Sequence, residues 1–77
     1  MNWEYELITT EIHDEAGASH KTYGILCKEK GTGFILRSVY DIFCDIFAAT
    51  ALVEIINRLE LSPEHLDDVI EDVVAVA

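Results

Sequence analysis

The residues able to do chemistry are scattered: His13, His20 and His65, Cys27 and Cys44, and the carboxylates Glu4, Glu6 and Glu11 along one stretch. His13 and His20 stand at either end of a turn-forming run that also holds Asp14 and Glu15, and two imidazoles with a carboxylate can bind a transition metal. An exposed turn has nothing behind such ligands to orient them, so ordinary polar turn residues explain the run more economically. His65 follows Pro63-Glu64 near a helix start, where an imidazole fills a corner or hydrogen-bonds a neighbouring strand. Cys44 precedes another helix start, a place that can lower a thiol's pKa, yet no histidine stands near it in sequence to activate it. There is no CxxC spacing, and both cysteines read as free thiols, Cys27 at an apolar strand position. Gly31-Thr32-Gly33 separates two strands rather than a strand and a helix, so it is no phosphate loop. Glu4 and Glu6 alternate onto a surface shared with lysines rather than into a cleft. The expectation is a non-enzyme with no catalytic residue, no cofactor and no metal.

The elements that would position these groups fit one small domain spanning residues 1–77. A chain of this length buries only about 60–65% of its unfolded surface, so stability is marginal unless a second copy covers apolar area. Hydrophobic residues make up 51% of the chain, too many for a disordered acidic tail, so it folds despite a net charge of −10. That charge argues against direct binding to nucleic acid or to an anionic membrane and favours a basic partner or simple solubility. The first residues lack the basic and apolar regions of a signal peptide. The longest apolar stretch, residues 42–56, is broken by Asp45 and Glu54 and is too short to span a bilayer. The expected location is cytoplasmic.

Alternation sets out three strands, about residues 3–12, 22–29 and 34–39, joined by turns at Gly17 and at Gly31-Thr32-Gly33. Pairing Leu7 with Cys27 and Cys27 with Leu36 puts Trp3, Tyr5, Leu7, Tyr23, Ile25, Cys27, Phe34 and Leu36 on one face. The same register sets Glu6 against Lys28 and Glu4 against Lys30 on the other. Residues 45–59 form a helix capped by Asp41 or, better placed, Asp45, with Ala48, Leu52, Ile55, Ile56 and Leu59 inward and Thr50, Glu54, Asn57 and Arg58 outward. Residues 63–75 form a second helix, with Ser62 as cap and Pro63 in the first turn. The expected class is α+β: a three-stranded antiparallel β-meander packed against a C-terminal two-helix hairpin.

The second helix separates into two faces. Leu66, Val69, Ile70 and Val73 need the interior, while Glu64, Asp67, Asp68, Glu71 and Asp72 form an acidic face. Like charges at i,i+4 cost about 0.2–0.5 kcal/mol per pair, so that face works against the helix's own stability. It is either a solvated surface or a contact for a basic partner.

The run Tyr23-Gly24-Ile25, then Ile35-Leu36-Arg37-Ser38-Val39 with Asp41-Ile42, then Asn57-Arg58-Leu59-Glu60-Leu61-Ser62-Pro63 with His65-Leu66 resembles a family of short proteins from anaerobic Gram-positive bacteria whose function is unknown. Leu-Ser-Pro-x-His-Leu is the most specific part, and the resemblance implies no activity. It implies polar or charged residues around the first helix start, where this chain has Phe43, Cys44, Ile46, Phe47 and Ala48. Phe43 and Phe47 are therefore candidate anchors for a partner, alongside the acidic face.

The reading is a small acidic interaction or regulatory module that binds a protein partner, itself as a homodimer or a basic protein, with no nucleic acid and no membrane. The alternative is an acidic inhibitor that mimics nucleic acid and occupies a basic groove on another protein, as a phage or mobile-element anti-defence protein would.

Overall fold

A computed structural model of the protein describes residues 2–76. Three strands, β1 (Trp3–His13), β2 (Ser19–Glu29) and β3 (Ile35–Phe43), are followed by helix α1 (Ile46–Arg58), a 3₁₀ turn (Pro63–His65) and helix α2 (Leu66–Val76). The sheet is antiparallel in the order β1-β2-β3, an α+β meander with both helices after it, as expected. Met1 and Ala77, the expected ends of the domain, lie outside the described residues.

The first hairpin is longer than its composition suggests. Asp14 and Ala18 close the turn between them: the Ala18 N–H donates to the Asp14 carboxylate at 2.9 Å, and the Asp14 N–H to the Ala18 carbonyl at 2.9 Å. Gly17 supplies the required positive φ of 85°. Pairing therefore extends through Ile12↔His20 and His13↔Ser19.

Both registers depart from the sequence-based expectation. Leu7 faces Ile25 and Tyr5 faces Cys27, a slip of two that keeps the faces but sets Glu4, not Glu6, opposite Lys28. Lys28 nevertheless reaches both carboxylates, at 3.6 Å to Glu4 and 2.6 Å to Glu6. In β3, Arg37 and not Leu36 faces Cys27, because an irregularity at Leu36 precedes the pair. A second one lets Tyr23 face Phe43 two residues later than regular pairing would, with Asp41 at φ 56° inside it. Phe34 and Leu36, expected inside, are exposed; Val39, Ile42 and Phe43 pack against the core in their place. Arg37 lies on the helix side without being buried, since it reaches out to the Asp67 carboxylate on α2.

Gly24 lies against this irregular stretch of β3. A β-carbon there would run into the Val39 carbonyl and the Tyr40 backbone, so glycine is required by contact rather than by φ.

Asp45 caps α1 by accepting the Phe47 N–H at 2.9 Å. The buried stripe is Ala49, Leu52 and Ile56, with Val53 beside it. The helix is thus rotated from the expected orientation, leaving Ala48, Ile55 and Leu59 outside. Asn57 is the reason. Its amide lies on the free edge of β1, where Oδ1 accepts the Tyr5 N–H at 2.8 Å and Nδ2 donates to the Tyr5 carbonyl at 3.0 Å. A residue expected in water therefore supplies the hydrogen bonds of a missing fourth strand.

The helix ends in a six-residue reversal. The Leu61 N–H donates to the Ile56 carbonyl, and the Glu60 N–H to the Asn57 carbonyl, with Glu60 at φ 54° where glycine is usual. The Leu61 carbonyl accepts both Trp3 Nε1 at 2.7 Å and the Tyr5 hydroxyl at 2.6 Å, tying the interhelix link to β1. Ser62 does not cap the next helix; its hydroxyl donates to the Glu64 carboxylate at 3.2 Å. The core is Tyr5, Ile25, Cys27, Leu52, Ile56 and Leu66, and Val69, Ile70 and Val73 of α2 close over it.

Candidate interaction surface

A helix whose buried stripe is Ala49, Leu52, Val53 and Ile56 should carry polar residues elsewhere. In α1 a second apolar row, Phe47, Ala51, Ile55 and Leu59, follows the same i,i+4 spacing on the solvent side. Phe47 is 82% exposed and Leu59 70%. The two candidate anchors thus separate: Phe47 stands free, while Phe43 packs partly buried against the core. Its place there accounts for Phe43 without a partner.

A second apolar surface lies along β3, where Phe34, Ile35, Leu36 and Tyr40 are all exposed, Phe34 by 67% and Tyr40 by 60%. Alternation predicts core positions for Phe34 and Leu36, and both are exposed instead. The irregularity at Leu36 shifts the strand from there on, whereas Phe34 lies ahead of it, just before β3 begins. On a small domain, apolar side chains gathered in rows mark contact surface, whereas scattered ones need no explanation.

The acidic candidates Glu64, Asp67, Asp68, Glu71 and Asp72 are all exposed. Asp67 is engaged by Arg37, and the hydrogen bond from that guanidinium also raises the Arg37 pKa. Glu64 accepts from Ser62. Asp68, Glu71 and Asp72 take part in no ion pair among the described residues.

The groups with chemical potential are placed as follows. Register pairs His20 with Ile12 and His13 with Ser19, so strand alternation turns the two imidazoles to opposite faces of the hairpin. His13 instead lies 3.5 Å from Glu11. Among the described residues no three histidine, cysteine, aspartate or glutamate side chains cluster as metal ligands. His65 is exposed, so it does not fill the interhelix corner, one of the two roles expected of it; its backbone N–H donates to the Ser62 carbonyl at 2.9 Å within the 3₁₀ turn. Cys44 is exposed and lines an open groove of about 640 Å³ with Glu11, Ser19, His20, Lys21 and Tyr23. Cys27 is buried, and burial raises its pKa although the neighbouring Tyr5 hydroxyl opposes the shift. Tyr5 is raised well above its ordinary value of 10.0, mainly by burial and then by Cys27 beside it. Both belong to the core.

A family model described as a family of unknown function (DUF6514) matches residues 1–76. No curated protein and no solved structure matches the chain.

Proposed function

The chain belongs to the DUF6514 family, a family of unknown function, and we propose that it is a small acidic protein-interaction or regulatory module, without catalytic activity, that binds protein and also self-associates. The observation that carries this reading is the second apolar row of α1, headed by Phe47 at 82% exposure. An aromatic side chain held out on a rigid helix is the kind of anchor that dominates binding energy when a partner buries it. Two free cysteines and the absence, among the described residues, of a helix long and apolar enough to cross a membrane accompany a proposed cytoplasmic location.

The second reading keeps an observation of its own. Asp68, Glu71 and Asp72 project from α2 without cationic partners among the described residues, and a row of carboxylates can occupy a basic groove that binds nucleic acid. Capture of partners from host extract, identified by mass spectrometry, separates the two. Under the first reading Phe47→Glu abolishes capture while Asp68→Asn with Asp72→Asn leaves it intact. The reverse pattern, with capture lost in moderate salt, selects the acidic inhibitor.

A further inference from the structure

We propose that the segment from Leu61 through α2 is a strap across the sheet, which lifts as a unit while the strands and α1 stay folded and so gates the thiol of Cys27. This device is independent of the function above and stands whether or not α1 anchors a partner.

Tyr5, Cys27 and Arg37 stand opposite one another on β1, β2 and β3, and so form one row across the helix-covered face of the sheet. The strap is fastened at both ends of that row. Over β1, the Tyr5 hydroxyl and Trp3 Nε1 donate to the Leu61 carbonyl at 2.6 and 2.7 Å; over β3, the Arg37 guanidinium donates to the Asp67 carboxylate. Cys27 lies between the two, wholly buried and in one cluster with the equally buried Leu66. The chain between Leu61 and Asp67 therefore passes over a buried thiol.

The two fastenings are unequal. Leu61 is held from both sides, since its own N–H donates to the Ile56 carbonyl of α1 while its carbonyl accepts from β1. The Arg37–Asp67 pair is solvent-exposed, and such pairs contribute little. Beyond it, Leu66 is the one buried residue of α2 among the described residues, and Val69, Ile70 and Val73 are only half-buried. Nor can α2 stand alone. It is short, has no basic residue in its last turn, and sets Asp67 against Glu71 and Asp68 against Asp72 at i,i+4. An element with so little buried surface opens below the cost of global unfolding, and once lifted it melts, so the two are a single event. The hinge is Ser62, whose side chain makes no cap to hold the next turn.

Thiol reactivity of the whole chain tests this, with Cys44→Ser removing the exposed thiol. The probe is dithionitrobenzoate: the Cys27 thiolate attacks one sulfur of the reagent, a mixed disulfide forms, and the S–S bond breaks to release one coloured thionitrobenzoate. Cys27 should react far more slowly than Cys44 does in the wild type. Its rate should climb only shallowly with urea below the unfolding transition, because lifting the strap exposes little surface. Arg37→Gln should raise that rate about two- to fivefold. Gly24→Ala loosens β3 from β2 in the closed and lifted forms alike, so it should leave the rate unchanged. Exchange of the Val69 and Ile70 amides should show the same shallow dependence on urea. A Cys27 rate that climbs as steeply as the global unfolding constant, or that Gly24→Ala raises as Arg37→Gln does, means the thiol is reached only through global unfolding and overturns the strap. So does a thiol as fast as Cys44, or one that does not react at all. Should Gly24→Ala fail to fold, the urea dependence and the amide exchange decide the matter.

Discussion

Tyr5 does three things at once: its ring fills the core, its hydroxyl donates to the Leu61 carbonyl, and its backbone bonds Asn57. Trp3 keeps the Leu61 carbonyl satisfied when the hydroxyl is gone, so Tyr5→Phe should cost only about 0.5–1.5 kcal/mol in denaturant unfolding. Because the folded state raises the pKa of Tyr5, its contribution is intact below the ordinary value of 10.0 and declines as pH rises beyond it, since the unfolded chain then loses the proton first. Cys27, also raised, begins the decline from its ordinary value of 9.0. Unfolding free energy measured from pH 8 to pH 11 should therefore fall, with a limiting slope of about 1.4 kcal/mol per pH unit per group, and Tyr5→Phe should flatten the portion above pH 10. Thr22 points the other way. Its buried hydroxyl lacks a partner among the described residues, so Thr22→Val should raise stability by about 1 kcal/mol.

At the level of elements, α1 shows what sequence can and cannot reveal. Its limits, its aspartate cap and its hydrophobic content were legible, because Asp45 and the following apolar run are local signals. Its rotation was not, because apolar residues encircle most of the helix. Ala49-Leu52-Val53-Ile56 and Ala48-Leu52-Ile55-Leu59 fit the same period, and the choice between them was made at long range by Asn57 on β1. The β3 register failed for a similar reason: the extra residue at Leu36 leaves no periodic trace, so alternation alone places Leu36 inward. The free apolar rows, which carry the functional proposal, became visible only once those two choices were known. Phe47 was the exception, since a phenylalanine among polar helix positions stands out in the sequence itself. Two substitutions test these elements by thermal unfolding. Gly24→Ala should destabilise by about 1–3 kcal/mol or more, as β3 has no room to yield a backbone carbonyl. Glu60→Gly should stabilise by about 1 kcal/mol, relieving the left-handed residue that ends α1.

For the whole molecule, the arrangement is a core closed on one side of the sheet by two helices, with an acidic face on α2 and apolar rows on α1 and β3. A chain of charge −10 that associates through apolar surface does so against its own repulsion. Salt therefore discriminates between mechanisms, because it screens that repulsion yet also screens any attraction between carboxylates and a basic surface. The most direct measurement is the dimer dissociation constant from sedimentation equilibrium as salt rises from about 0.05 M to about 0.5 M. Association through the apolar rows predicts a dimer that holds or tightens as salt increases. A dimer that loosens steeply over that range, or a chain that never dimerises, would contradict it.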